Sequence, residues 1–145
     1  MSRPKSYRDL IVWQKAMGLA RQAYTLTAGL PKSEAYGLLA QVRRAAVSIP
    51  SNIAEGHGRL TDLQFRHFLG NARGSLCELQ TQVELAADLG YLDKKKIQIV
   101  MDQRAEVGRL LNGLITSLRQ HSAGVETNTA NSASIANSAQ PGLRK

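Results

Sequence analysis

Apolar residues recur along most of this chain at alternating steps of three and four, the period of a helix face packed on other helices. The seam Phe65, Leu69, Ala72, Leu76, Leu79, Val83 and Ala86 is unbroken and predicts a helix over about 62–89, roughly 40 Å long at 1.5 Å per residue. A second run, Leu39, Val42, Ala46, Ile49 and Ile53, passes straight through Pro50 and predicts a helix kinked near Ala46 to Pro50. Between Tyr7 and Thr27 two seams lie side by side: Leu10, Trp13, Met17, Ala20 and Tyr24, then Val12, Ala16, Leu19, Ala23 and Leu26. Two seams make a broad face that touches more than one neighbour. Ile97, Val100, Val107, Leu111, Leu114 and Leu118 form the last seam, with Arg104 in a core-like slot where it can snorkel or pair with an acid. Four such helices with short connections predict an all-α, antiparallel, up-down-up-down four-helix bundle over 7–121.

Punctuation residues separate the elements. Gly29-Leu30-Pro31 closes the first helix, and Ser33 with Glu34 is expected to cap the second. Gly56 and Gly58 are expected to end the second helix and turn the chain. Thr61 and Gln64 form a capping-box pattern, Gly90 stops the third helix, and Asp93 is the expected N-cap of the fourth. Gly70 and Gly74, one turn apart in a helix, point to close approach by another helix or subunit. Residues 1–6 are expected to be flexible. After Ser122 the periodicity stops and Ala, Ser, Asn and Thr supply 14 of 24 residues, so 122–145 is expected to be a disordered tail.

Beside the apolar seam of the second helix runs a polar stripe, Arg44, Ser48, Ser51, Asn52 and Glu55, with Arg59 just beyond it. Its short side chains suit a packed polar interface. Glu78 of the third helix is placed to pair with Arg43 or Arg44 or to face solvent; Arg44 is expected inside and Arg43 outside, about 100° further round.

The charge changes the picture modestly. The formal charge is +8, but across 7–121 it is 15 Lys and Arg against 10 Asp and Glu, a +5 that favours polyanions without requiring them. The basic groups are Arg43 with Arg44, Arg66 with Arg73, and Lys94, Lys95 and Lys96. No zinc-finger, homeodomain or aromatic RNA-binding motif accompanies them, so phosphate contact is the expected mode of any nucleic-acid binding. Cys77 stands alone and is expected to be a buried, inert thiol. His57, His67 and His121 have no metal-ligand spacing, and no Gly-rich phosphate loop or nucleophile–base pair is present, so neither catalysis nor a cofactor is expected. No run approaches 18 apolar residues, which predicts a cytoplasmic protein without a membrane anchor.

The run Gln41 to Arg59, with its Ser-Ile-Pro-Ser-Asn-Ile-Ala-Glu-Gly core, together with Tyr7-Arg8-Asp9-Leu10, Trp13-Gln14-Lys15-Ala16, Phe68-Leu69, Ser75-Leu76, Glu78-Leu79 and Leu89-Gly90-Tyr91, resembles the 23S rRNA intervening-sequence protein family. That resemblance covers about 7–120. It implies a small bacterial four-helix bundle of unknown function, with Arg44, Ser48, Asn52, Glu55, Arg59 and Glu78 as polar members of the family pattern. The related accessory variability determinants of diversity-generating retroelements imply a homo-oligomer, specifically a pentamer, and association with RNA or nucleoprotein; the basic clusters, not the resemblance, make Arg43, Arg66, Arg73 and Lys94 to Lys96 the candidate contacts. The competing reading is an oligomeric scaffold that binds a protein partner and has no nucleic-acid role.

Overall fold

The computed structural model describes residues 3–137, with side chains over 3–121. Its helices are α1 (Ile11–Thr27), α2 (Leu38–His57), α3 (Asp62–Asp88) and α4 (Lys94–Asn137), with short 3-10 turns at Tyr7–Asp9 and Lys32–Glu34. Each helix packs on its two neighbours in a ring, α1 on α2, α2 on α3, α3 on α4 and α4 on α1, with the backbones of the diagonal pairs further apart across a shared core. This is the all-α, antiparallel four-helix bundle that the apolar periodicity demands.

The seams of α2 and α3 enter the core as expected: Val42, Ala46, Ile49, Ile53, Leu69, Ala72, Leu76, Leu79 and Val83 are fully buried. Val100, Val107, Leu111, Ile115 and Leu118 supply the α4 face. Of the two α1 seams one is buried throughout, Val12, Ala16, Leu19, Ala23 and Leu26, and the other only at Ala20. The other lines an open groove against α2, a cavity of about 720 Å³ walled by Trp13, Met17, Ala20, Tyr24, Val47, Pro50 and Ala54.

Several helix ends follow their expected chemistry. Thr61 Oγ1 accepts from Gln64 N at 3.2 Å, Asp93 Oδ1 accepts from Lys95 N at 3.0 Å, and Gly90 takes φ +79°, letting Tyr91 N donate back to Ala86 O. Ser33 does not cap α2. The 3-10 turn carries the chain on to Gly37, and Glu34 supplies the cap instead, its Oε2 accepting from Leu38 N at 3.0 Å.

Gly56 is helical and buried, so the chain does not turn there; α2 ends at His57 and Gly58 is its C-cap. A Cβ on Gly56 would lie 2.7 Å from Phe68 Cβ and 3.2 Å from Phe65 O, so the glycine lets the end of α2 close on the start of α3. The expectation for Gly70 and Gly74 fails within this chain: a Cβ on either would meet nothing within 4 Å. Cys77 is likewise exposed, one position beyond the buried seam at Leu76.

The helical backbone of α4 continues through 122–137, past the loss of apolar periodicity, while the last buried side chain among those described is Leu118. Residues 138–145 of the expected tail, and residues 1–2, lie outside the described residues. Arg3 is anchored rather than loose: it donates to the carbonyls of His57 and Arg59, pairs with Asp62 at 2.9 Å and stacks over Phe65.

Candidate nucleic-acid interface

The basic residues divide among three places. Arg66 and Arg73 lie seven residues, about two turns, apart on α3, and so share a face. They join Arg119 of α4 and His67 around a cavity of about 520 Å³, completed by Leu63, Gly70 and Ile115. Among the described residues no carboxylate lines it. Arg73 donates to Asn112 Oδ1 at 3.3 Å across the groove. Arg66 is half-buried, and its Nε is buried without a hydrogen-bond partner.

Along the same groove Arg104 reaches from α4 to Cys77, one turn past Arg73, with its terminal nitrogen 3.9 Å from Sγ. Its Nε is also buried and unpartnered. A buried N–H with no acceptor costs about 1–3 kcal/mol, so both guanidinium stems are held at some expense against the helix pair. Arg104 therefore neither pairs with an acid nor fills a core slot; it lies along the α3/α4 groove.

Arg43 stands apart from this groove. Its Nε donates to the buried Thr27 Oγ1 at 3.0 Å, and its guanidinium sits 4.4 Å over the Tyr24 ring, joining α2 to α1. Arg44, expected inside, is exposed and forms no ion pair with Glu55 or Glu78, and Glu78 is exposed as well. The rotation of α2 decides this: burying Val42, Ala45, Ala46 and Ile49 turns Arg43 towards α1 and leaves Arg44 at an open polar cleft between α2 and α3.

Only part of the polar stripe packs. Ser48 and Ser75 share a hydrogen bond of 2.8 Å, and Asn52 Nδ2 donates to Ser48 O and Oγ at 2.8 and 2.9 Å. Glu55 and Arg59 pair on the exposed side at 2.9 Å, with Arg59 stacked on Phe68.

Lys94, Lys95 and Lys96 lie at the other end of α4, about 36 Å from Arg119 at 1.5 Å per residue, and are exposed. The groove thus unites Arg66 and Arg73 with two residues that sequence reasoning did not assign to binding, Arg104 and Arg119. The signal for Arg119 was its seven-residue spacing from Asn112, which places both on one α4 face.

At the same end of the bundle Asp62 is held by Arg3 at 2.9 Å and by His121 Nδ1 at 2.8 Å. Burial alone would raise the Asp62 pKa. Hydrogen bonds and charge from Arg3 and His121 outweigh it and hold the carboxyl below its ordinary range. Among the described residues no three His, Cys, Asp or Glu converge to hold a metal, and no helix is long and apolar enough to cross a membrane.

The family model of the 23S rRNA-intervening sequence protein matches residues 8–113. A solved structure from Bacteroides thetaiotaomicron VPI-5482, a protein of unknown function from the S23 ribosomal protein family, superposes with a TM-score of 0.66 at 20% identity, covering 72% of this chain and 98% of that one. No curated protein matches the chain. The bundle and the match across 8–113 agree: this chain belongs to the 23S rRNA-intervening sequence protein family.

Proposed function

We propose that this protein is a non-enzymatic RNA-associating bundle that holds phosphates in the groove between α3 and α4. The supporting observation is the alignment of Arg66, Arg73, Arg104 and Arg119 along one groove, with Arg66, Arg73 and Arg119 around one cavity. Guanidinium is the side chain best matched to phosphate oxygens, through its planar fork of donors. The name of the family and the ribosomal-protein family of the structural neighbour point the same way.

The test is fluorescence anisotropy with labelled RNA at stepped salt. Phosphate contacts make log K fall linearly with log salt, and the triple substitution Arg66→Ala, Arg73→Ala, Arg119→Ala should abolish most of the slope with the helical content retained. Absence of RNA binding at about 50 mM salt, with a protein partner recovered on purification from the native host, would favour the scaffold reading instead.

The α1/α2 groove favours a second element of the proposal, self-association. Trp13, Met17, Tyr24, Val47 and Pro50 line an apolar surface left open by this chain's own helices. The resemblance to the retroelement accessory proteins supports five copies as the reading to test. Light scattering should then give about 79 kDa, five times the 15.8 kDa chain, and a 15.8 kDa particle would rule out assembly.

A further inference from the structure

We infer that the α3/α4 groove accepts a short single-stranded segment of RNA and excludes a duplex, an inference that rests on the phosphate-binding reading above. Two of the arginines are set down between the helices: Arg66 and Arg104 are half-buried, Arg66 lining the cavity and Arg104 reaching across to Cys77. Packed helices lie about 8–10 Å apart, so the floor between them is narrow. A double helix is a stiff convex cylinder, and it meets only the exposed arginines on the rims, Arg73 and Arg119. A flexible single strand can turn its phosphates down into a charged cleft. Gly70 keeps one wall low, since a Cβ there would have no neighbour within 4 Å, and a sugar-phosphate backbone can approach α3 closely.

The same geometry bounds the length of the segment. From Arg66 to Cys77, which faces Arg104, α3 rises about 16 Å. Glu84 stands eighteen residues, five full turns, beyond Arg66 and so on the same face, and it accepts from Gln80 at 2.9 Å. Its carboxylate ends the cationic run on α3. Among the described residues the groove lining contains no Trp, Tyr or Phe and His67 is its only ring, so bases contribute little stacking and sequence preference is weak.

The experiment compares one labelled RNA of roughly ten nucleotides with the same strand annealed to its complement, using the full chain at about 50 to about 200 mM salt. The single strand should bind at least about tenfold more tightly, with a salt slope near −3 for four phosphates at about −0.7 each. Arg104→Ala should reduce that slope by about 0.7, and Arg104→Lys, which keeps the charge, should restore it. Equal or tighter binding of the duplex overturns the inference while the phosphate-binding reading stands. If neither RNA binds, the earlier reading has itself failed. If Arg104→Ala does not fold, Arg104→Lys against Arg104→Gln carries the same comparison, and an unchanged slope in the folded neutral variant removes Arg104 from the site.

Discussion

Replacing Gly56 with alanine sets two physical effects against each other with opposite signs. Within a helix, Gly→Ala stabilises by about 1 kcal/mol through backbone entropy, so helix propensity alone predicts a more stable protein. The tertiary structure predicts the reverse. The new methyl would sit 2.7 Å from Phe68 Cβ, 3.0 Å from Phe65 Cδ2 and 3.2 Å from Phe65 O. Phe68 Cβ and Phe65 O belong to or sit next to the α3 backbone, so no rotamer change relieves them, and α2 and α3 must separate at their joined ends. Overpacking of this kind costs about 1–3 kcal/mol, and a backbone obstacle puts it at the upper end, leaving a net loss of about 1–2 kcal/mol after the propensity gain. For an ordered region of this size that lowers Tm by roughly 3–10 °C. Urea denaturation followed by circular dichroism should show a lower midpoint at unchanged slope. Gly74→Ala is the control, because a Cβ there meets nothing within 4 Å and only the propensity gain remains. A Gly56→Ala protein as stable as or more stable than the parent would refute the close-approach reasoning.

The two adjacent arginines should separate cleanly in thermal melts: Arg43→Ala loses its bond to Thr27 and its stack on Tyr24 and should cost about 1–2 kcal/mol, whereas exposed, unpaired Arg44→Ala should stay within about 0.5 kcal/mol. Ending the chain after His121 should leave both Tm and the number of copies per particle nearly unchanged, since Leu118 is the last described buried side chain; a large fall in either would show that the tail docks. Asp62 has a folded pKa below its unfolded value, so its contribution is present above about pH 4 and is lost as pH falls through the folded pKa. Asp62→Asn should therefore flatten the acid limb of a Tm-against-pH curve, and an identical acid limb in the variant would remove Asp62 from that role.

The sequence by itself determined the number of helices, the extents of α1, α2 and α3 to within a few residues and which seams of α2, α3 and α4 are buried, but not that the helical backbone of α4 runs on to Asn137. Those properties follow from local periodicity and from caps such as Thr61, Asp93 and Gly90, where the deciding interaction spans only a turn or two. Tertiary structure decided what a one-residue rotation decides. Arg43 and Arg44 differ by about 100° on α2, and only the fit of Val42, Ala45 and Ile49 against α1 and α3 tells which arginine turns to Thr27 and which to solvent. It also distinguished glycines that look alike in sequence, Gly56 against the Phe68 backbone and Gly70 beside open space. The basic groove belongs to the same class of fact. Arg66 and Arg73 share a face by spacing alone, but Arg104 and Arg119 come from a helix about forty residues later, and only the antiparallel register of α3 and α4 brings the four together.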